Sequence, residues 1–325
     1  MKLIIQIPCF NEEETLPVTL KEIPRTYEGV DEVEFLIIDD GSTDRTVEVA
    51  REHGVHHIVR FTNNKGLAEA FSAGLDASLR LGADIIVNTD GDNQYVGEDI
   101  ARLIAPVVNG EADMVIGDRQ IMTIAHFSFV KKMLQRLGSW VVRQLAGTET
   151  PDTTSGFRAF SREAAMRLNI ISRYTYTLET VIQAGKKNIA MTHVPIRTNG
   201  VLRPSRLFKS IPAYIKRSMA TIFRIYTLYE PLKMFVTTGS IFIGGGLIIG
   251  LRFLYFFIKN GTAGHIQSLI LAAIALIIGF QMIMFGVLAD LVSANRRLIE
   301  DALYRIRKGN LKSRDPEGPS TGHKA

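Results

Sequence analysis

The sequence predicts an α/β protein: a doubly wound, mostly parallel sheet, followed by amphipathic interface helices and a two-helix transmembrane hairpin. Three observations carry that expectation. Short β-branched runs alternate with helical stretches through the first part of the chain, the pattern of strand–helix–strand units. Acidic and turn-forming residues stand directly after three of the runs, where an open α/β sheet binds its ligands. Two long apolar stretches, about 234–258 and 266–291, each exceed the roughly 20 residues needed to cross the hydrocarbon of a bilayer.

Taken in order, strands are expected at residues 3–7, 34–38, 57–60, 84–89 and 113–116. Helices are expected near 12–22, 44–53, 66–81 and 97–109. A longer amphipathic helix is expected around 128–146, then a second group of elements over 155–196 with a strand at 156–161. The α/β domain implied by this series occupies residues 1–204. Over 205–230, Leu207, Phe208, Ile211, Ile215, Met219, Ile222, Phe223 and Tyr226 recur at helical spacing between Lys209, Lys216, Arg217 and Arg224. Such a stripe suits a helix lying in the membrane interface, and equally an ordinary surface helix packed on the domain.

The hairpin occupies 231–291. Gly244-Gly245-Gly246 in its first span would allow close helix contact. Its connection, Lys259-Asn260-Gly261-Thr262-Ala263-Gly264-His265, is short and carries little charge, whereas both outer flanks are basic. The positive-inside rule then places the α/β domain and both termini in the cytoplasm of a multi-pass protein of the cell (inner) membrane. Residues 292–325 read as a basic tail whose end, from about 309, is disordered.

Composition narrows the partners. The chain has 325 residues and a net charge of +5, with basic residues crowded near the apolar segments. That favours an anionic membrane surface or a phosphorylated ligand over nucleic acid. Cys9 is the sole cysteine, which excludes an intrachain disulfide and suits a reducing compartment. The first residues run directly into a strand pattern, without the apolar stretch of a signal peptide.

Chemistry concentrates in three strand-end motifs. Pro8-Cys9-Phe10-Asn11-Glu12-Glu13-Glu14 follows the first strand; its acidic residues could serve a ligand or a helix N-terminus. Asp39-Asp40-Gly41-Ser42-Thr43-Asp44 follows the second, where Asp39 or Asp40 can accept from a base N–H or a ribose hydroxyl, and Ser42 or Thr43 can cap the next helix. Asp90-Gly91-Asp92-Asn93-Gln94 follows the fourth. Two carboxylates two residues apart, with an amide oxygen two further on, can converge on a hard divalent cation that also binds phosphates. No G-x-G-x-x-G follows the first strand and no Walker A sequence is present, so nicotinamide and P-loop chemistry lose support.

In this order and spacing, with Asn64-Lys65-Gly66 between them, the motifs resemble family 2 glycosyltransferases of the GT-A fold. Asp152-Thr153-Thr154-Ser155-Gly156-Phe157-Arg158 and Arg203-Pro204-Ser205-Arg206 bring the resemblance to the polyprenyl-phosphate glycosyltransferases, the group of dolichyl-phosphate mannose synthase and the GtrB-type bactoprenol glucosyltransferases. The resemblance implies a metal site at Asp90, Asp92 and Gln94 holding Mg2+ or Mn2+. It implies a nucleotide lying against Pro8, Phe10, Glu12, Asp39, Asp40 and Gly91, with Arg119 facing the donor. It further implies phosphate-binding roles for Arg197, Arg203 and Arg206, and a homo-oligomer, a tetramer.

The implied reaction is inverting transfer of a single hexose from a UDP- or GDP-sugar to a membrane polyprenyl phosphate. Asp152 is the candidate base. Because a lipid phosphate is already anionic, Asp152 could instead orient other groups, or cap the turn that follows it. Glu179 could support Asp152 or the acceptor site, or equally be a solvated helix residue. The Gln135-Arg136-Leu137-Gly138-Ser139-Trp140 stretch does not match the Gln-x-x-Arg-Trp of processive enzymes, and Trp140 reads as a packing residue. Two other readings are open: the same fold glycosylating a lipid hydroxyl, and a non-catalytic protein that anchors partners through the hairpin.

Overall fold

The computed structural model describes the chain except for residues 121–132, 134–137, 141, 144, 145, 149, 172–175, 201–218, 221, 222, 225, 261–265 and 313–325. The chain forms two compact units. One is built from residues up to Met219 together with the stretch from Leu303 onward, the other from Ala220–Ala302.

The first unit is organised by a seven-stranded sheet: β1 (Lys2–Cys9), β2 (Glu32–Asp39), β3 (His57–Arg60), β4 (Ile85–Asn88), β5 (Met114–Asp118), β6 (Arg158–Ser161) and β7 (Met191–Pro195). The order across the sheet is β3-β2-β1-β4-β6-β5-β7. Every neighbouring pair is parallel except those that β6 makes, antiparallel to β4 on one side and to β5 on the other. The crossovers carry α1 (Leu16–Glu22), α2 (Thr46–Glu52), α3 (Leu67–Arg80) and α4 (Ile100–Val108); α5 (Arg162–Arg167) and α6 (Thr177–Lys186) follow β6. The central strands are mostly apolar on both faces, as expected of strands covered on both sides: Leu3, Ile4, Ile5, Ile7, Leu36, Ile37, Ile86 and Val87 are all buried.

Register decides where the functional loops emerge. Cys9 pairs with Asp39 and Gln6 with Asn88, so β1, β2 and β4 finish at one edge of the sheet. Reversal of β6 brings its first residue to that same edge: Arg158 pairs with Asn88 on one side and Ile116 on the other. The loop before β6 therefore arrives beside the loops that leave β1, β2 and β4. Gly41 is needed in the second of these, because its φ is +75° and a Cβ there would lie 2.6 Å from the Asn63 carbonyl carbon.

The helix α3 covers this region from one face. Phe71 is fully buried, with its ring stacked 3.8 Å from that of Tyr176 and edge-on to Phe160 at 5.8 Å. Glu179, left between two roles by the sequence, is buried rather than solvated. Its carboxylate accepts from the Ile171 N–H and from Gln183 Nε2, and so ties down its own neighbourhood. Trp140 is half exposed rather than packed.

Two long helices complete the chain, α7 (Pro231–Asn260) and α8 (Ile266–Lys312), and both are long and apolar enough to cross a membrane. Of the triple glycine expected to mediate their contact, only Gly246 faces α8, near Ala272 and Leu276. Gly239 packs closely against Gly279, where a Cβ at Gly239 would lie 2.7 Å from the Gly279 carbonyl oxygen.

The expected disorder from about residue 309 is corrected in part, since α8 continues through Lys312. Good helix formers and spaced side-chain bonds sustain it. Arg296 Nε donates to Glu300 at 2.7 Å, and Lys308 Nζ to the Tyr304 hydroxyl at 2.9 Å. Within the first unit, the Tyr304 hydroxyl donates to Glu163 at 2.7 Å, and Arg307 Nη1 donates to the Leu168 carbonyl and Asn169 Oδ1 at 3.0 Å each. Most of the expected 205–230 interface helix and of the 128–146 helix lies outside the described residues, as does the chain beyond Lys312; the described residues between 219 and 229 are helical.

Phe71→Ala should destabilise the folded protein by about 3–5 kcal/mol, the range for deleting a buried aromatic ring. Denaturant titration of the detergent-solubilised chain measures it; a cost below about 1 kcal/mol would show that the Phe71–Tyr176 stack is not part of the core.

Candidate active site

Each strand end contributes a loop whose shape is set by its own side chains. After β1, Asn11 adopts φ +55°; its N–H donates to Ser42 Oγ at 2.9 Å, and its Oδ1 accepts from the Thr43 N–H at 2.8 Å. The β1 and β2 loops are thereby fastened together. Glu12 is buried, with its N–H on Thr46 Oγ1 and its carboxylate accepting from Thr15 Oγ1 at 2.7 Å. Thr15 Oγ1 also lies 2.8 Å from the Gly91 carbonyl, so a single hydroxyl joins the first acidic loop to the third. Pro8 is a buried member of β1, and Phe10 is half-buried at its end.

The two aspartates after β2 behave differently. Asp39 is fully buried. Its Oδ1 accepts from the Ser42 N–H, while Arg60 Nε lies 3.1 Å from Oδ2 without hydrogen-bond alignment. Asp40 accepts from the N–H groups of Lys65 and Gly66 at 2.7 and 2.9 Å, which fixes the turn into α3. Burial raises the Asp40 carboxyl above its ordinary value, against the lowering effect of those two amides. Asp40 thus shapes the loop, whereas Asp39 keeps one oxygen, Oδ2, without a hydrogen bond. A cleft of about 320 Å3 beside these loops is lined by Glu12, Glu13, Glu14 and Asp44 together with Asn11, Thr15 and Thr43, and so repels phosphate.

In the third loop burial alternates. Asp90, Asp92 and Gln94 are half-buried, whereas Gly91, Asn93 and Tyr95 between them are buried. The three oxygen-bearing side chains are therefore the accessible ones. The Gln94 N–H donates to Asp92 Oδ1 at 3.2 Å and curls the loop. Tyr95 pairs with Thr198, and the Asn199 N–H donates to the Gln94 carbonyl. Among the described residues no group of three or more His, Cys, Asp or Glu side chains converges. The donor set here is two carboxylates and an amide, which fits a hard cation that completes its shell with water and substrate phosphate.

The loop before β6 forms the opposite wall. Asp152 and Arg119 make a buried, two-pronged ion pair, Nε–Oδ2 at 2.7 Å and Nη2–Oδ1 at 3.0 Å. Thr154 adds its hydroxyl to Asp152 Oδ1 and accepts from Arg119 Nη2. Burial pushes the Asp152 carboxyl up, but the adjacent guanidinium outweighs it and holds the group below the usual carboxylate range. Both oxygens of Asp152 are thus occupied and the group is poorly suited to take a proton. Of the roles the sequence left open for Asp152, these bonds favour orienting Arg119.

The expected phosphate-binding arginines divide. Arg197 is engaged elsewhere: its backbone N–H and guanidinium both bond to buried Asp99, and Nη2 also reaches Glu98 at 3.1 Å. Arg203 and Arg206 lie outside the described residues. The site also uses residues that no motif announced, namely Thr15, Tyr95, Asn88 and Tyr176.

A doubly wound sheet with acidic loops at adjoining strand ends, closed by a loop whose Asp152 pairs with the buried Arg119 after β5, defines the frame of a nucleotide-sugar transferase. Residues 4–168 match the family described as Glycosyl transferase family 2, and the chain belongs to that family. It is 29% identical over 206 residues to the polyprenol monophosphomannose synthase of Mycolicibacterium smegmatis, covering 60% of this chain and 76% of that one. It is 30% identical over 217 residues to the UDP-N-acetylglucosamine–dolichyl-phosphate N-acetylglucosaminyltransferase of Methanococcus voltae, covering 59% and 83%. Among solved structures, glucosyl-3-phosphoglycerate synthase from Mycobacterium tuberculosis, in complex with Mn2+, UDP and glucosyl-3-phosphoglycerate, superposes with a TM-score of 0.53. That alignment covers 69% of this chain and 79% of that one at 22% identity, and it establishes the GT-A-like fold.

Asp152→Asn would strand the buried Arg119 charge, and should cost about 3–5 kcal/mol. The sign of the pH dependence follows from the depressed carboxyl: the pair contributes fully above the unfolded value of about 3.9 and is lost as pH falls through the folded value. Acid unfolding of wild type and variant should therefore converge only below about pH 4, and the wild-type rate between pH 6 and 9 should show no limb from Asp152. A limb near neutrality that Asp152→Asn abolishes would restore the base.

Proposed function

We propose that the protein transfers a single hexose, with inversion, from a nucleotide-diphosphate sugar to a polyprenyl phosphate at the cytoplasmic face of the membrane. The observation that carries this reading is the charge balance at the strand ends. Glu12, Asp39, Asp40, Asp90 and Asp92 gather there, and the nearby Arg119 is already neutralised by Asp152. A diphosphate can approach such a surface only together with a cation.

Asp90, Asp92 and Gln94 would hold Mg2+ or Mn2+, which when bound offsets the negative charge growing on the departing nucleoside diphosphate. The rest falls to the chain's own residues. Asp39 would accept from the base, while the loops that carry Phe10, Glu12 and Gly91 shape the nucleoside side. Arg119, held in place by Asp152, would offer the sugar-bearing phosphates hydrogen-bond donors rather than net charge.

The pairing of Asp152 bears on the acceptor. A hydroxyl acceptor would need a base, and the carboxylate best placed for that task is fully engaged. A lipid phosphate attacks as an anion and needs none. With Arg197 held by Asp99, Arg203 and Arg206 are the side chains we assign to the acceptor phosphate. The two apolar helices would hold the enzyme where that lipid resides, with basic flanks on the cytoplasmic side.

Labelled UDP- and GDP-hexoses offered with polyprenyl phosphate should give an organic-extractable product from which mild acid releases the sugar. Asp92→Asn should lower its formation by roughly 10²-fold or more, the scale for removing one charge-stabilising group. Transfer that survives both Asp92→Asn and a chelator, or a product stable to mild acid, would overturn the metal or the acceptor assignment respectively.

A further inference from the structure

Arg158 is the largest fully buried side chain in the described part of the protein, and among the described residues no carboxylate pairs with it. Burying a guanidinium without a counter-ion is expensive, and burial lowers its pKa to about 10. Among the described residues, all its hydrogen-bond partners are neutral. Nε donates to the Ser155 carbonyl and Nη2 to the Thr153 carbonyl, each at 2.8 Å. Nη1 donates to the Thr177 carbonyl at 2.8 Å and to the Thr180 hydroxyl. The fork thus grips the turn before β6 with one edge and the first turn of α6 with the other.

That turn touches both halves of the candidate site. On one side Asp152 and Thr154 hold Arg119. On the other, Gly156 lies under Asp90: a Cβ at Gly156 would stand 3.2 Å from both Asp90 carboxylate oxygens and 2.9 Å from the Tyr176 hydroxyl. The Gly156 backbone is fixed at both ends, its N–H donating to the Tyr95 hydroxyl oxygen at 3.0 Å and its carbonyl accepting from Asn88 Nδ2 at 2.9 Å. Small movements of the turn would therefore shift Asp90 and Arg119 together.

We propose that Arg158 is a positioning residue for donor binding, holding the 153–156 turn so that the Asp90 carboxylate and the Arg119 guanidinium keep their spacing across the diphosphate. It touches no reacting atom itself. A lysine cannot replace it, because a single ammonium cannot span acceptors on both the turn and α6 in the geometry of a planar fork.

The inference rests on the metal assignment made under the proposed function, and the test separates the two. The probe is Mn2+ with UDP or GDP on the solubilised full chain, read by the loss of the free Mn2+ electron paramagnetic resonance signal, with circular dichroism as the check of fold. Wild type should bind Mn2+, and Arg158→Lys should remain folded yet bind it roughly 10- to 100-fold more weakly, the scale for removing an outer-shell support. The apparent KM for metal should rise by a similar factor. Thr180→Val, which removes one acceptor without altering the turn, should give a smaller loss in the same direction and decides the matter if the arginine variant fails to fold. Folded variants that bind Mn2+ as wild type does would overturn the role of Arg158 alone. A wild type that binds no Mn2+ would overturn the metal reading and this inference with it.

Discussion

The close approach of the Gly156 backbone to the Asp90 carboxylate is the constraint on which the rest of the site depends. It requires that a loop from late in the chain reach the edge where β1, β2 and β4 end. An all-parallel sheet would deliver that loop to the opposite edge. The single reversed strand, β6, solves the problem by starting where its neighbours finish, with Arg158 beside Asn88. Asn88 then joins the two sides chemically, bonding Gly156 and Tyr176 through its amide nitrogen while Gln6 of β1 donates to its oxygen. Buried amide pairs of this kind tolerate few alternative arrangements.

The carboxylates at this edge are chemically alike and structurally distinct. Asp40 is spent on two backbone N–H groups, Asp152 on a guanidinium, and Glu12 on a threonine hydroxyl shared with the neighbouring loop. Asp90 and Asp92 are half-exposed. Backbone N–H groups and cations decide which of the acids are held inside the fold.

Much of the fold was legible because β1 to β5 are apolar runs bounded by turn residues, and their alternation with helices admits few topologies. The strand β7 was missed because Met-Thr-His-Val-Pro is half-exposed and ends in proline, as an edge strand can. The helical extension of α8 was missed because its polar composition reads as tail, while bonds from Tyr304 and Arg307 to residues far back in the chain help to order it. At the site, the acidic loops were legible from strand-end position. The pairing of Arg197 with Asp99, 98 residues away, and the burial of Arg158 were not, since neither leaves a local period or spacing to read.

The alternating burial between Asp90 and Tyr95 has a further consequence for how such a chain can vary over time. Exchange of one oxygen-bearing side chain for another leaves the alternation intact, and the neighbouring loops can be remodelled around it. Insertion or deletion of a single residue between Asp90 and Gln94 would exchange the two faces, sending carboxylates toward the core and Gly91 or Asn93 outward. In this short segment the length of the chain is constrained as firmly as its chemistry, so lineages that retain the activity should accumulate substitutions here but not gaps.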